Sequence, residues 1–204
     1  MYTAVRGLIS LMARLGLVRI SVSYADRVPE AGPVLLMMNH QSNLDPLIAG
    51  WATRRPVNMP GKAELFRVPI LRWVIGQLGC YPVDRDASDA GSLRRSLQVL
   101  RRGRVLAVFP EGTRTRTGEV GPFNPTLTRL AIREGAPVVA LAIDGTGKIL
   151  PPGRKLPRLG VHVTVRYGKP LQLTERYGPK PAEHEIEQAT ETVRDQVVSL
   201  LGRT

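Results

Sequence analysis

Short, wholly apolar runs alternate with stretches of helical periodicity along most of this chain, and that alternation restricts its fold more than any other feature. Val34 to Met38, Val105 to Phe109 and Val138 to Ile143 carry no charged residue. They are too short for buried helices, so each reads as a strand covered on both faces. Between and around them, Pro46 to Ala52, Val68 to Leu78, Ser88 to Arg101 and Thr126 to Glu134 read as helices. Leu93, Leu97 and Leu100 repeat at helical spacing and Gly103 supplies the stop. Tyr81 to Val83 is expected as a short strand, Val161 to Tyr167 as a half-exposed one and Glu183 to Leu201 as a closing helix. Strand and helix in alternation imply an α/β domain in layers. The Gly-, Pro- and Arg-bearing stretch from Gly145 to Gly160 is expected to be a basic surface loop.

The first residues differ. They are apolar yet carry Arg6, Arg14 and Arg19, with no acidic residue and no clear small-residue cleavage site, so they are not read as a signal peptide. No apolar run approaches the roughly 18 to 20 residues a spanning helix needs. On a helical wheel Val5, Leu8, Leu11, Met12, Leu15 and Val18 share one face, opposite Thr3, Arg6, Ser10 and Arg14. Such an amphipathic helix either docks on its own protein's core or lies in a lipid interface with arginines near anionic headgroups. Residues 1–22 are assigned to it, and 23–204 to the α/β domain.

Charge narrows the partners. Lys and Arg number 29 against 17 Asp and Glu, a net charge of +12, which suits nucleic acid, an anionic membrane or a phosphorylated substrate. Two Trp, five Tyr and three Phe offer little for base stacking, and no nucleic-acid module is recognisable, so nucleic acid is the disfavoured partner. The single cysteine, Cys80, forms neither an intramolecular disulfide nor a cysteine-rich zinc site and suits a reducing compartment. His162 and His184 lack partner motifs and read as surface or packing residues, and three histidines give no metal-ligand spacing.

Three loops hold polar residues that a fold alone does not require. Asn39-His40-Gln41-Ser42-Asn43-Leu44-Asp45-Pro46 follows the first apolar strand. Across such a turn His40 and Asp45 can form an imidazole–carboxylate pair able to take a proton from an alcohol. Asp45-Pro46 is equally a helix start, with Asp45 as cap. Ser42 as nucleophile is disfavoured, because no Gly-x-Ser-x-Gly elbow surrounds it. The second loop is Gly79-Cys80-Tyr81-Pro82-Val83-Asp84-Arg85 and the third Phe109-Pro110-Glu111-Gly112-Thr113-Arg114. Each places an arginine just past a strand. Such arginines are either solvated surface charges or phosphate forks, and ligands collect at the carboxyl ends of strands in open α/β sheets.

In this order, the blocks Asn39 to Asp45, Gly79 to Arg85 and Phe109 to Arg114 resemble the first three motifs of the glycerolipid acyltransferases, in particular the 1-acyl-glycerol-3-phosphate acyltransferases. Lys62-Ala63-Glu64-Leu65 resembles that family's lysine-containing segment. The resemblance implies a layered mixed sheet flanked by helices. It also implies transfer of an acyl group from a thioester, acyl-CoA or acyl carrier protein, to a lysophospholipid hydroxyl, with no bound cofactor. His40 would be the base and Asp45 its orienter. Lys62, Arg85 and Arg114 would hold the acceptor phosphate, with Glu111, Gly112 and Thr113 shaping the acceptor site. Expected partners are the lysophospholipid, an anionic membrane surface and an acyl carrier protein, with the enzyme peripheral on the cytoplasmic face of the cell membrane. That setting favours the lipid-interface reading of the first helix. Glycerol-3-phosphate, another lysophospholipid or a lyso-aminolipid are the alternative acceptors. Phe123-Asn124-Pro125 stands where the family commonly has phenylalanine, lysines and glycine, and Ala140 where it usually has proline.

Overall fold

The structure, a computed structural model, describes residues 3–83, 90–115, 117–150, 156 and 158–202. In chain order its elements are α1 (Thr3–Arg14), β1 (Arg19–Ser23), β2 (Val34–Met38), α2 (Asp45–Ala52), β3 (Val57–Lys62), α3 (Pro69–Gln77), β4 (Cys80–Val83) and α4 (Ala90–Arg101). They continue with β5 (Val105–Val108), α5 (Pro125–Arg133), β6 (Val138–Asp144), α6 (Thr146–Ile149), β7 (His162–Tyr167), α7 (Leu173–Tyr177) and α8 (Glu183–Leu200).

One mixed sheet runs in the order β1-β7-β6-β2-β5-β3-β4. The strands from β6 to β4 are mutually parallel, while β7 is antiparallel to β6 and parallel to β1. Its centre is β2, β5 and β6, whose apolar runs are buried on both sides. Successive residues point to opposite faces, so Leu36 and Met38 pack with Ile48 and Ala49 of α2, while Leu35 and Met37 pack with Leu100, Leu130 and Val193 of α4, α5 and α8. Each such fully buried side chain contributes about 1.5–3 kcal/mol of hydrophobic stabilisation. Helices cover both faces, as a parallel sheet requires.

The chain leaves β2 through α2 toward β3, and leaves β5 through α5 toward β6. These connections depart over opposite faces and in opposite directions, which makes the carboxyl ends of β2 and β5 a topological switch point. Doubly wound sheets bind ligands at such a switch point.

Three expectations are corrected and one strand is added to them. The boundary at residue 22 falls inside β1, which pairs with β7, and α1 already ends at Arg14. The strand β3 lies outside the expected elements: in Val57-Asn58-Met59-Pro60-Gly61-Lys62, Pro60 lacks a donor and Gly61 lacks a side chain, so the stretch carries little strand signal of its own. The stretch after Gly145 is not wholly surface loop; it opens with α6, where Thr146 and Ile149 are buried. Finally, the wheel's two faces do not divide α1 into buried and exposed halves. Val5 and Ile9 pack with Leu78 of the turn after α3, whereas Leu8, Leu11 and Leu15 are 59%, 52% and 64% exposed. Arg6 and Ser10, on the polar side, turn inward: the Arg6 guanidinium donates to the Thr53 carbonyl and the Ser10 hydroxyl accepts from Trp51 Nε1 at 3.0 Å. A buried indole N–H needs an acceptor, and α1 docks where it supplies one.

Asn124 and Pro125, where the sequence departs from the pattern it resembles, have a local role before α5. Asn124 is the N-cap, its side chain accepting from the Thr126 N–H at 2.9 Å, with Pro125 at the first helical position.

Candidate active site

The first motif emerges from the central strand β2. Asn39, just past it, is 1% exposed, and its side-chain amide both donates to the Ile143 carbonyl (2.8 Å) and accepts from the Ile143 N–H (2.9 Å). This amide continues the β2–β6 pairing past the last regular rung. It fixes the direction in which the next residue, His40, leaves the sheet.

His40 Nδ1 lies 2.8 Å from Asp45 Oδ2. Asp45 Oδ2 also accepts the backbone N–H groups of Gln41 (2.7 Å) and Ser42 (2.8 Å), and Oδ1 accepts the Thr146 hydroxyl (2.5 Å). The carboxylate accepts only, so the imidazole proton sits on Nδ1 and leaves the Nε2 lone pair available. The His40 side chain is 16% exposed and that of Asp45 is fully buried. The two readings of Asp45 are thereby separated: α2 starts at this residue, but its carboxylate turns back onto the loop, and the helix has no side-chain cap.

The third motif holds the ring from the neighbouring strand β5. Phe109 stacks on His40 with centroids 3.9 Å apart and planes 20° apart. Glu111 faces no cation among the described residues; its carboxylate accepts the His40 N–H at 2.8 Å and the Gly121 N–H at 2.9 Å. It joins the first and third motifs to the segment leading into α5. Gly112 takes a left-handed conformation, φ 72°, so the chain turns sharply past the site. Thr113 and Arg114 are exposed on that turn, and the next residue, Thr115, donates its N–H to the His40 carbonyl at 2.8 Å. Arg114 is therefore beside the pair in the chain's path.

Lys62 is exposed at the carboxyl end of β3, on the same edge of the sheet but separated from β2 by β5. Arg85 lies outside the described residues. Gly79, which opens the second motif, has φ 73°, and a Cβ there would collide with the Val57 carbonyl oxygen, so this glycine is a steric requirement of the α3–β4 turn.

Ser42 is buried, and its hydroxyl donates to the Leu150 carbonyl at 2.9 Å, which occupies it as a structural donor. Burial pushes the Cys80 thiol up to about 12, far from the thiolate form a nucleophile needs. His162 bonds Ser21 on the exposed side of β7, and His184 is exposed on α8. Among the described residues no group of three His, Cys, Asp or Glu side chains is placed to hold a metal. Two surface cavities of about 460 and 440 Å³ lie away from His40, one along α3 and one at the amino ends of β3 and β5.

Three residues have roles that sequence reasoning misses. Asn39 ties β2 to β6, Glu111 braces the loops, and Thr146 holds Asp45 from the far end of β6. A motif match singles out the first two but says nothing of their contacts, and Thr146 lies beyond the matched blocks.

Known proteins share this frame. The chain is 32% identical over 123 residues to a chloroplastic 1-acyl-sn-glycerol-3-phosphate acyltransferase of Brassica napus, a match covering 59% of this chain and 36% of that protein. It is 26% identical over 202 residues to the 1-acyl-sn-glycerol-3-phosphate acyltransferase of Borreliella burgdorferi, covering 98% and 78% respectively. This chain thus spans little more than a third of the chloroplastic relative's length and over three quarters of the bacterial one's. The crystal structure of PlsC, the 1-acyl-sn-glycerophosphate acyltransferase of Thermotoga maritima, superposes with a TM-score of 0.75 at 23% identity, over 99% of this chain and 81% of that one, and shares its fold. The family model described as Acyltransferase matches residues 19–144, from β1 through the strand that leads to Thr146 and including His40, Asp45 and the third motif, so this chain belongs to the Acyltransferase family.

Proposed function

We propose that this protein transfers an acyl group from a thioester donor, acyl-CoA or an acyl carrier protein, to the free hydroxyl of 1-acyl-glycerol-3-phosphate, forming phosphatidic acid. The observation that carries the reading is the 2.8 Å contact between His40 Nδ1 and a fully buried Asp45 carboxylate, which leaves Nε2 as a base. His40 Nε2 takes the hydroxyl proton as the lipid oxygen bonds to the thioester carbonyl carbon. The Asp45 charge stabilises the imidazolium that forms. Collapse of the tetrahedral intermediate breaks the carbon–sulfur bond, and the imidazolium returns its proton to the departing thiolate. Every proton is accounted for by one imidazole, so no covalent enzyme intermediate is required.

The acceptor assignment draws on the exposed cations at the carboxyl edge of the sheet, Arg114 and Lys62, and on what the relatives' names say they act upon. A fork of guanidinium donors suits a phosphate monoester. The test is a panel of acceptors with purified protein. 1-Acyl-glycerol-3-phosphate should be used and 1-acyl-glycerol, which lacks the phosphate, should not; equal use of both would refute a phosphate-reading site. Arg114→Ala should raise the acceptor KM about tenfold with little change in thermal stability, the loss of one charge-assisted contact. An unchanged KM would remove Arg114 from phosphate binding.

We also propose that the protein is peripheral on the cytoplasmic face of the cell membrane. Among the described residues no helix is long and apolar enough to cross a bilayer. Leu8, Leu11 and Leu15 project from α1, and Ile70 and Trp73 project from the adjacent α3; Arg72 of α3 and Arg67 just before it line one surface cavity with Trp73. Exposed leucines beside an indole and arginines suit the interface of an anionic membrane. Leu8→Asp, Leu11→Asp and Leu15→Asp together should release the protein from anionic vesicles in a sedimentation assay. Undiminished co-sedimentation would show that α1 does not carry the contact.

A further inference from the structure

We propose that Thr146 is a positioning residue for the His40–Asp45 pair, holding the carboxylate in the orientation in which it meets the imidazole; the proposal rests on the acyl-transfer reading of that pair. Asp45 divides its contacts unequally. The His40 Nδ1–H, the Gln41 N–H and the Ser42 N–H all converge on Oδ2, and all come from its own turn. Among the described residues Oδ1 has a single partner, the Thr146 hydroxyl at 2.5 Å, and Thr146 is itself fully buried. A carboxylate gripped at one oxygen can still pivot about the bond to its Cβ. A second grip from the opposite side removes that freedom.

The second grip comes from far along the chain, and the fold is shaped to deliver it. Thr146 follows β6, the strand paired with β2, so sheet order brings the turn after Asp144 against the turn after Met38. Gly145 has φ 94°, and a Cβ there would collide with the His162 carbonyl oxygen. Only glycine lets the chain turn that tightly against the start of β7. On the other side, a Cβ on Gly147 would lie 3.4 Å from that of Gln41, so the Gly-Thr-Gly turn fits closely against the catalytic loop. Thr146 does not serve as a cap: the N-cap of α6 is Gly145, and the hydroxyl is spent on Asp45.

The test compares Thr146→Val, which keeps the shape and removes the donor, with Thr146→Ser, which keeps the donor. Thr146→Val should lower kcat about tenfold while donor and acceptor KM stay within about twofold, and Thr146→Ser should restore kcat. A serine variant as slow as the valine variant, or a change confined to KM, overturns the proposal, since either marks a packing role. Thr146→Ala replaces the valine variant if that protein does not fold. A second measurement needs no substrate. Nitrogen NMR of His40 should report one tautomer, Nδ1–H, in the wild type and a mixture in Thr146→Val; identical spectra would overturn the positioning role. A wild type that acylates no lipid alcohol yet shows this spectral change would sink the acyl-transfer reading and leave the contact standing.

Discussion

His40→Ala should lower acyl transfer by about three orders of magnitude, within the range over which a positioned general base acts. Its fold should survive, because the backbone contacts at this position do not need the ring. The His40 N–H still reaches Glu111 and the His40 carbonyl still accepts from Thr115. What the variant loses is the Phe109 stacking, the Nε2 lone pair and the Nδ1–H contact to Asp45, whose Oδ2 keeps the Gln41 and Ser42 N–H donors. Far-UV circular dichroism and the melting temperature should therefore stay near wild type while kcat collapses. Retention of more than a tenth of the wild-type rate would mean that another group, or water, takes the proton, and the base assignment would fall.

Asp45→Asn is the second large effect, and it separates two roles one carboxylate can play. The amide oxygen can replace Oδ2 toward His40, Gln41 and Ser42, and the Thr146 hydroxyl can rotate to accept from the new NH₂ group. Most contacts survive in weaker, uncharged form, so the stability loss should be modest, about 1–3 kcal/mol by denaturant titration. The charge that balances the imidazolium does not survive. Turnover should fall at least about a hundredfold, as removal of a buried orienting carboxylate does in histidine-based acyl transfer elsewhere. Were Asp45 only the organiser of the loop, stability would drop and kcat would hold.

The local contacts of the site are legible in the amino-acid sequence. His40 and Asp45 lie in one turn beyond an apolar strand, so their meeting requires only that the chain reverse there. The three buried strands are legible for a similar reason: Val34–Met38, Val105–Val108 and Val138–Asp144 are apolar along nearly their whole length, which few environments other than a central sheet position accept. Edge elements are harder. β1 leaves Arg19, Ser21 and Val22 exposed, and β3 contains a proline and a glycine, so their strand character comes from the neighbours β7 and β5 rather than from their own residues. The α1 wheel identifies an amphipathic helix, but Trp51 and Leu78 settle which rim of it docks.

By itself the sequence determined the alternation that makes this an α/β domain, the turn that carries His40 and Asp45, and the excess of cations. All three reside in spacing and composition along short stretches, where chain geometry leaves little choice. Only the tertiary structure decided that Glu111 braces the His40 backbone, that Asn39 ends on β6 and that Thr146 reaches Asp45. Those contacts join residues 71, 104 and 101 positions apart through side chains common in any protein. Local periodicity tells a residue which face it is on and nothing about its partner; the order β6-β2-β5 of the strands supplies that.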